Sequence, residues 1–167
     1  MRSLLNILLK LLEKGGKKAP KPRNGPKPST GKPCATGKCN RLPKPPKAPA
    51  RRHNPCKTKG NDPTKEKNSM LDPDVDVAGD LDAMKSGNFT RSGNDIMVNG
   101  RTYEMHGETG TIFPKSGPGV VQMDRGQHQF LKMLNSGSLE NAMKFANNFP
   151  GLDPDKVEEV LELWKKC

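Results

Sequence analysis

Aromatic side chains are scarce in this chain of 167 residues, which has one Trp, one Tyr and five Phe, and none of them lies in residues 1–70. That stretch therefore offers no stacking platform for single-stranded nucleic acid. Large apolar residues are also missing there. From Gly15 to Ser69 the only one is Leu42. Burial over that span cannot offset an ordering cost of roughly 1–2 kcal/mol per residue, so the sequence predicts disorder. No apolar run approaches the length of about 20 residues that spans a bilayer. Several reaction signatures are absent as well. There is no phosphate-binding loop, no dinucleotide fingerprint, no G-x-S-x-G and no zinc-deaminase pattern.

Charge divides what remains. Residues 1–70 hold 19 Lys+Arg against 3 Asp+Glu, and residues 71–167 hold 10 against 15. Eleven of the 16 prolines lie in the first part. The composition reads as a basic, Pro-rich arm joined to a mildly acidic domain. Residues 3–14 read as a short amphipathic helix with Asn6, Lys10, Glu13 and Lys14 on its polar stripe. It suits packing on a partner or peripheral membrane contact. A cleaved leader is not expected, because Lys10 interrupts the run and Gly15-Gly16 is followed by lysines. Residues 15–70 are expected to be a stiff, extended linker, with a phosphate-binding arm as the other option.

Three of the four cysteines, Cys34, Cys39 and Cys56, fall in the arm near His53. Their spacing permits a zinc site or a disulfide. Cys167 ends the chain and is expected to be a free, exposed thiol, which leaves the folded part without a cysteine nucleophile.

Residues 71–167 read as a small α+β domain: an antiparallel sheet, built from a hairpin plus one or two short strands, packed with three to four helices. Val77, Leu81 and Met84 mark a short helix that stops at Gly87. Among Asp72, Asp74, Asp76, Asp80 and Asp82, acids at a helix N-terminus fit better than a calcium loop, whose required Gly and Glu positions hold Val77 and Ala83. Asn99-Gly100 between two β-prone runs predicts a hairpin with a type I′ turn. A third strand ends at Pro114 and a fourth covers 120–123. Asp124 with Gln127 predicts a capping box, and Ser138 and Asp153 cap two further helices. The last helix carries a buried stripe of Val157, Val160, Leu161 and Trp164.

The titratable residues between Arg101 and Lys132 suit a metal-independent ribonuclease. Such an enzyme needs a base for the 2′-hydroxyl, an acid for the leaving oxygen and a cation for the phosphorane. His106, His128, Arg125, Tyr103 and Glu108 are the catalytic candidates, and Arg101 and Lys132 the substrate-binding ones. No metal and no cofactor are expected. Arg125, His128 and Lys132 recur at i, i+3 and i+7 on one helix face. Strand alternation separates Arg101 and Tyr103 from His106. Arg101 and Glu104 are candidate cross-strand charge partners.

Residues 76–164 resemble the C-terminal toxin domain of bacterial Rhs-type polymorphic toxins. The likeness rests on GNDIMVNGRTYEM, GTIFPKSGPGVVQMDRG and QHQFLKMLNSG, followed by two helices. The Lys/Pro/Gly arm is similar to the linkers that precede such tips. The resemblance implies secretion or delivery into a target-cell cytoplasm, an immunity protein as partner, and RNA as the commonest substrate class. It carries no catalytic assignment. The repeat-rich delivery portion lies outside this sequence, which leaves an orphan tip, a fragment and a self-standing product open. The other functional class that the residues allow is a binding module without activity, tethered by a basic linker to a membrane or protein partner.

Overall fold

The computed structural model describes residues 40–167. The helix expected over 3–14, together with Cys34 and Cys39, lies outside the described residues. The described fold is α+β, with four helices and two small antiparallel sheets.

Helix α1 spans Val77–Lys85. The Asp76 side chain caps it by accepting from the Gly79 N–H at 2.9 Å. A four-stranded meander follows in the order β2 (Thr90–Ser92), β3 (Asp95–Val98), β4 (Arg101–Met105) and β5 (Ile112–Ser116). Asn99 and Gly100 take φ values of 48° and 80°, the left-handed pair that a tight hairpin between twisted strands requires. Strand β5 runs through Pro114 rather than stopping there. It forms the outer edge of the meander, where a residue without an N–H is tolerated, and the ladder is irregular at Thr102/Tyr103 opposite it. Strand β2 gave no sequence signal, since its three residues are all exposed.

The fourth expected strand is present as β6 (Val120–Asp124), but its partner is β1 (Lys67–Leu71). Alternation lets this ribbon serve both sides of the fold. Met70 and Met123 enter one apolar cluster, while Leu71 and Val120 pack into the other. The first cluster is helical. Phe130, Leu131 and Leu134 of α2 (Arg125–Ser136) meet Ala142, Met143 and Ala146 of α3 (Leu139–Asn148) and Val157, Val160 and Leu161 of α4 (Pro154–Trp164). Leu163 is buried in α4, whereas Trp164 is only partly covered. Gly126 lets α2 start against α3's end, because a Cβ there would fall 2.8 Å from the Phe149 ring. The second cluster lies under the meander and holds Met84, Phe89, Ile96, Val98, Tyr103, Met105 and Ile112. Both halves of the capping box at Asp124 and Gln127 are formed, and Ser138 and Asp153 cap α3 and α4.

The expected linker is corrected over 40–70. These residues are folded onto the domain, and the fold begins by residue 40 instead of near Leu71. Two kinds of contact hold the segment, both beyond the reach of a composition argument. Lys47 bridges to Thr111, with Lys47 N–H donating to the Gly110 carbonyl at 2.9 Å and Ile112 N–H to the Lys47 carbonyl at 3.0 Å. Residues 51–66 then form a strap across α2. It opens with a 3-10 turn at Arg51–His53, and Asp62 closes it by pairing with Arg51 and accepting from the Lys59 N–H at 2.8 Å.

Cys56 and Cys167 form a disulfide with a Cα–Cα distance of 5.3 Å and a sequence separation of 111. The free terminal thiol is thereby corrected, and so is any zinc site using Cys56. His53 is also engaged, its Nδ1 lying 2.7 Å from the Ser69 carbonyl. Among the described residues no group of His, Cys, Asp and Glu could hold a metal ion.

Candidate functional site

The candidate residues fall into three separate settings. The first is a buried polar knot. Asp80 lies on the inward face of α1 with no exposed surface. Its carboxylate accepts from Arg101 Nε and Nη2, both at 2.7 Å, from Asn99 Nδ2 at 2.8 Å and from Tyr103 Oη at 2.5 Å. Bidentate charge pairing with two further donors satisfies every oxygen lone pair that burial would otherwise leave costly. Burial, and then the Asp80 carboxylate, push the Tyr103 hydroxyl well above its ordinary range, and its proton is committed to that buried carboxylate. The Arg101 guanidinium is likewise held above its ordinary value by Asp80. Arg101 and Tyr103 therefore pin the hairpin to α1. The expected pairing of Arg101 with Glu104 does not occur, and Glu104 lies 3.6 Å from Lys115 instead.

The second setting is the α2 face that carries Arg125, His128 and Lys132. The strap covers it residue by residue, running antiparallel to the helix. Arg125 Nη1 meets Glu66 at 3.3 Å, and His128 Nδ1 lies 3.0 Å from Thr64 Oγ1. Lys132 Nζ donates to the Asp62 carbonyl at 2.6 Å and to Thr64 Oγ1 at 3.0 Å. One turn on, Asn135 Nδ2 donates to the Pro55 and Thr58 carbonyls at 2.7 and 2.9 Å, while its Oδ1 accepts from Trp164 Nε1 at 3.0 Å.

His128 is fully buried, and its Nε2 has no hydrogen-bond partner. Burial lowers its pKa to about 4, helped by the nearby Lys132 charge, while the Arg52 backbone, close to the ring but outside full hydrogen-bond geometry, pulls the other way. The ring is neutral at neutral pH and closed off from solvent. The surface cationic stripe read from the sequence is thus a clasp. Arg125 alone of its three residues remains well exposed, with 58 % of its side-chain surface free.

The third setting is the turn that joins β4 to β5. His106 N–H donates to the Thr111 carbonyl and Gly110 N–H to the His106 carbonyl, both at 2.9 Å. His106 and Glu108 are exposed on this turn. Thr109 Oγ1 donates to Thr111 Oγ1 at 3.1 Å and accepts from the Thr111 N–H at 3.2 Å. Thr109 Oγ1 also lies 3.2 Å from His106 Nδ1. The docked segment places Lys44 here as well, its Nζ donating to the Glu108 carbonyl at 2.5 Å.

The structure thus keeps His106 and Glu108 together and supplies a lysine that sequence spacing did not indicate. It separates them from Arg101, Tyr103, His128 and Lys132, all of which are engaged in holding the fold. Asp80 was also missed, although a signal existed. It falls between Val77, Leu81 and Met84 on the apolar stripe of its helix, where a carboxylate must find a buried partner.

A hollow of about 500 Å³ lies elsewhere, beside α4, lined by Asp72, Val121, Asp155, Glu158, Glu159, Glu162 and Leu163 together with Lys166, which pairs with Asp72. No helix among the described residues is long and apolar enough to cross a membrane. No protein family, curated protein or solved structure matches this chain.

Proposed function

We propose that this chain is a toxin effector that cleaves RNA in a target-cell cytoplasm without a metal, working from the β4–β5 turn. The observation that carries the reading is the exposed His106 with its Nδ1 bound to Thr109 and Lys44 anchored on the same turn. Nε2 of His106 takes the 2′-hydroxyl proton, and the oxygen attacks the neighbouring phosphorus. Lys44 and Lys47 offset the charge that builds on the phosphoryl oxygens. The products are a 2′,3′-cyclic phosphate and a 5′-hydroxyl end, whose oxygen takes its proton from solvent. Residues 1–39, with 10 Lys+Arg against 1 Asp+Glu, add non-specific attraction to the phosphate polymer. The likeness to Rhs-type toxin tips supports the same reading, and with it an immunity protein that neutralises the effector in the producing cell.

Expression of the full chain in a bacterium tests this. Growth arrest with RNA fragments ending in cyclic phosphates is expected. His106→Ala should relieve the arrest, and Lys44→Ala should weaken it by about tenfold in cleavage rate. Normal growth with intact RNA would remove the enzyme reading. A binding module would then be the better account, and the acidic hollow beside α4 favours a cationic protein partner for it.

A further inference from the structure

Neither apolar cluster contains a residue between 43 and 69. The strap is therefore held by polar bonds to α2, by the Arg51–Asp62 pair and by one covalent link. Both cysteines of that link are exposed, so a thiol can reach either sulfur. Beneath the strap lie a buried imidazole with an unpartnered Nε2 and the Lys132 ammonium, whose bonds here go to Asp62 and Thr64 of the strap itself. Arg52 of the strap adds positive charge on the same side, and the Asp62 carboxylate, already paired with Arg51, also acts on Lys132 through space. A strap held to α2 by hydrogen bonds, with Pro55 its one buried apolar residue and a single covalent link, is poised to leave once that link is cut.

We propose that Cys56–Cys167 is a redox latch. In a reducing compartment it opens, the strap leaves α2, and the Arg125–His128–Lys132 face becomes accessible to anions. The step balances simply. A dithiol reductant supplies two electrons and two protons; the Cys56–Cys167 sulfur–sulfur bond breaks to give two thiols, and the reductant's sulfurs join as a disulfide. Both cores remain in place, so the opened form keeps its helices and meander. The latch rests on the strap and its link and is independent of the activity proposed for the His106 turn.

The test uses the full chain carrying Cys34→Ser and Cys39→Ser, so that only this pair can exchange. Oxidised and dithiothreitol-reduced protein are compared by limited trypsin digestion with mass mapping, circular dichroism, and NMR titration of the three imidazoles. Reduction should speed cleavage at Lys57, Lys59 and Lys65 by about tenfold or more while leaving α2–α4 uncut and the circular dichroism unchanged. The His128 ring should then titrate near the ordinary histidine range, about 6.5, instead of far below it. A Cys56→Ser variant kept without reductant should behave as the reduced form does. Equal cleavage rates in both forms, or an unmoved His128 titration, would show that the strap stays closed and overturn the latch. So would loss of the helical signal on reduction, which would make the bond a global staple.

Discussion

The meander and the strap are both attached to the helices, yet they are fastened in opposite ways. The meander contributes Ile96, Val98, Tyr103, Met105 and Ile112 to an apolar cluster and places one charged knot, Asp80 with Arg101, Tyr103 and Asn99, at its inner side. The strap buries no large apolar side chain and relies on carbonyls, two threonines and a disulfide. A region of the first kind opens only with the whole fold, while one of the second can open alone. The comparison therefore assigns rigidity to the sheet that presents His106 and conditional closure to the segment over α2.

The largest expected effect that sharpens this contrast is on the meander side. Asp80→Ala leaves the Arg101 charge largely buried and Tyr103 Oη without its acceptor, and should cost about 3–5 kcal/mol of global stability. Urea unfolding followed by circular dichroism measures it. A loss confined to the hairpin, with the global midpoint unmoved, would break the comparison.

Acidification comes next and acts on the strap side. The folded-state pKa of His128 is about 4, below the unfolded value, and burial also lowers that of His53. The unfolded chain binds more protons over this window. Stability is thus fully present above about pH 6.5 and is lost as pH falls from there through 4, by about 3 kcal/mol for His128 alone. Unfolding curves between pH 7 and 4 should show the decline, and His128→Gln should flatten it. The smallest effect is expected for Asn135→Ala, which removes two bonds to the strap. It should raise amide exchange at residues 55–59 and lower global stability by only about 1–2 kcal/mol. A drop as large as that of Asp80→Ala would mean that the strap belongs to the cooperative core.

Much of the sheet and all four helices were legible because their signals are local. Asn99-Gly100 fixes a turn, Asp124 with Gln127 fixes a cap, and the apolar spacing of α2–α4 fixes their inner faces. The strap was not legible, because a Lys- and Pro-rich segment shows its partners only when the carbonyls of 55, 58 and 62 meet Asn135 and Lys132 some seventy or more positions away. The same blindness hid what covers α2. An i, i+3, i+7 row of Arg125, His128 and Lys132 is the pattern of a cationic surface, and only the covering chain buries His128 and engages Lys132 while Arg125 stays exposed. The pairing of Cys56 with Cys167 is equally non-local, since four cysteines permit several connectivities. His106 and Glu108 kept their place because a five-residue turn holds them together whatever packs elsewhere.

The bond between Cys56 and Cys167 also fixes the topology of the polypeptide. It closes a covalent ring across a separation of 111 positions, with residues 1–55 preceding it in the chain. A narrow channel that accepts a single extended strand, drawing an unfolded chain from the amino end, would take up residues 1–55 and then halt at the ring, where two strands must enter abreast. Passage of the remainder through such a channel requires the sulfurs to be apart, so the order of oxidation and transit decides whether the chain crosses at all.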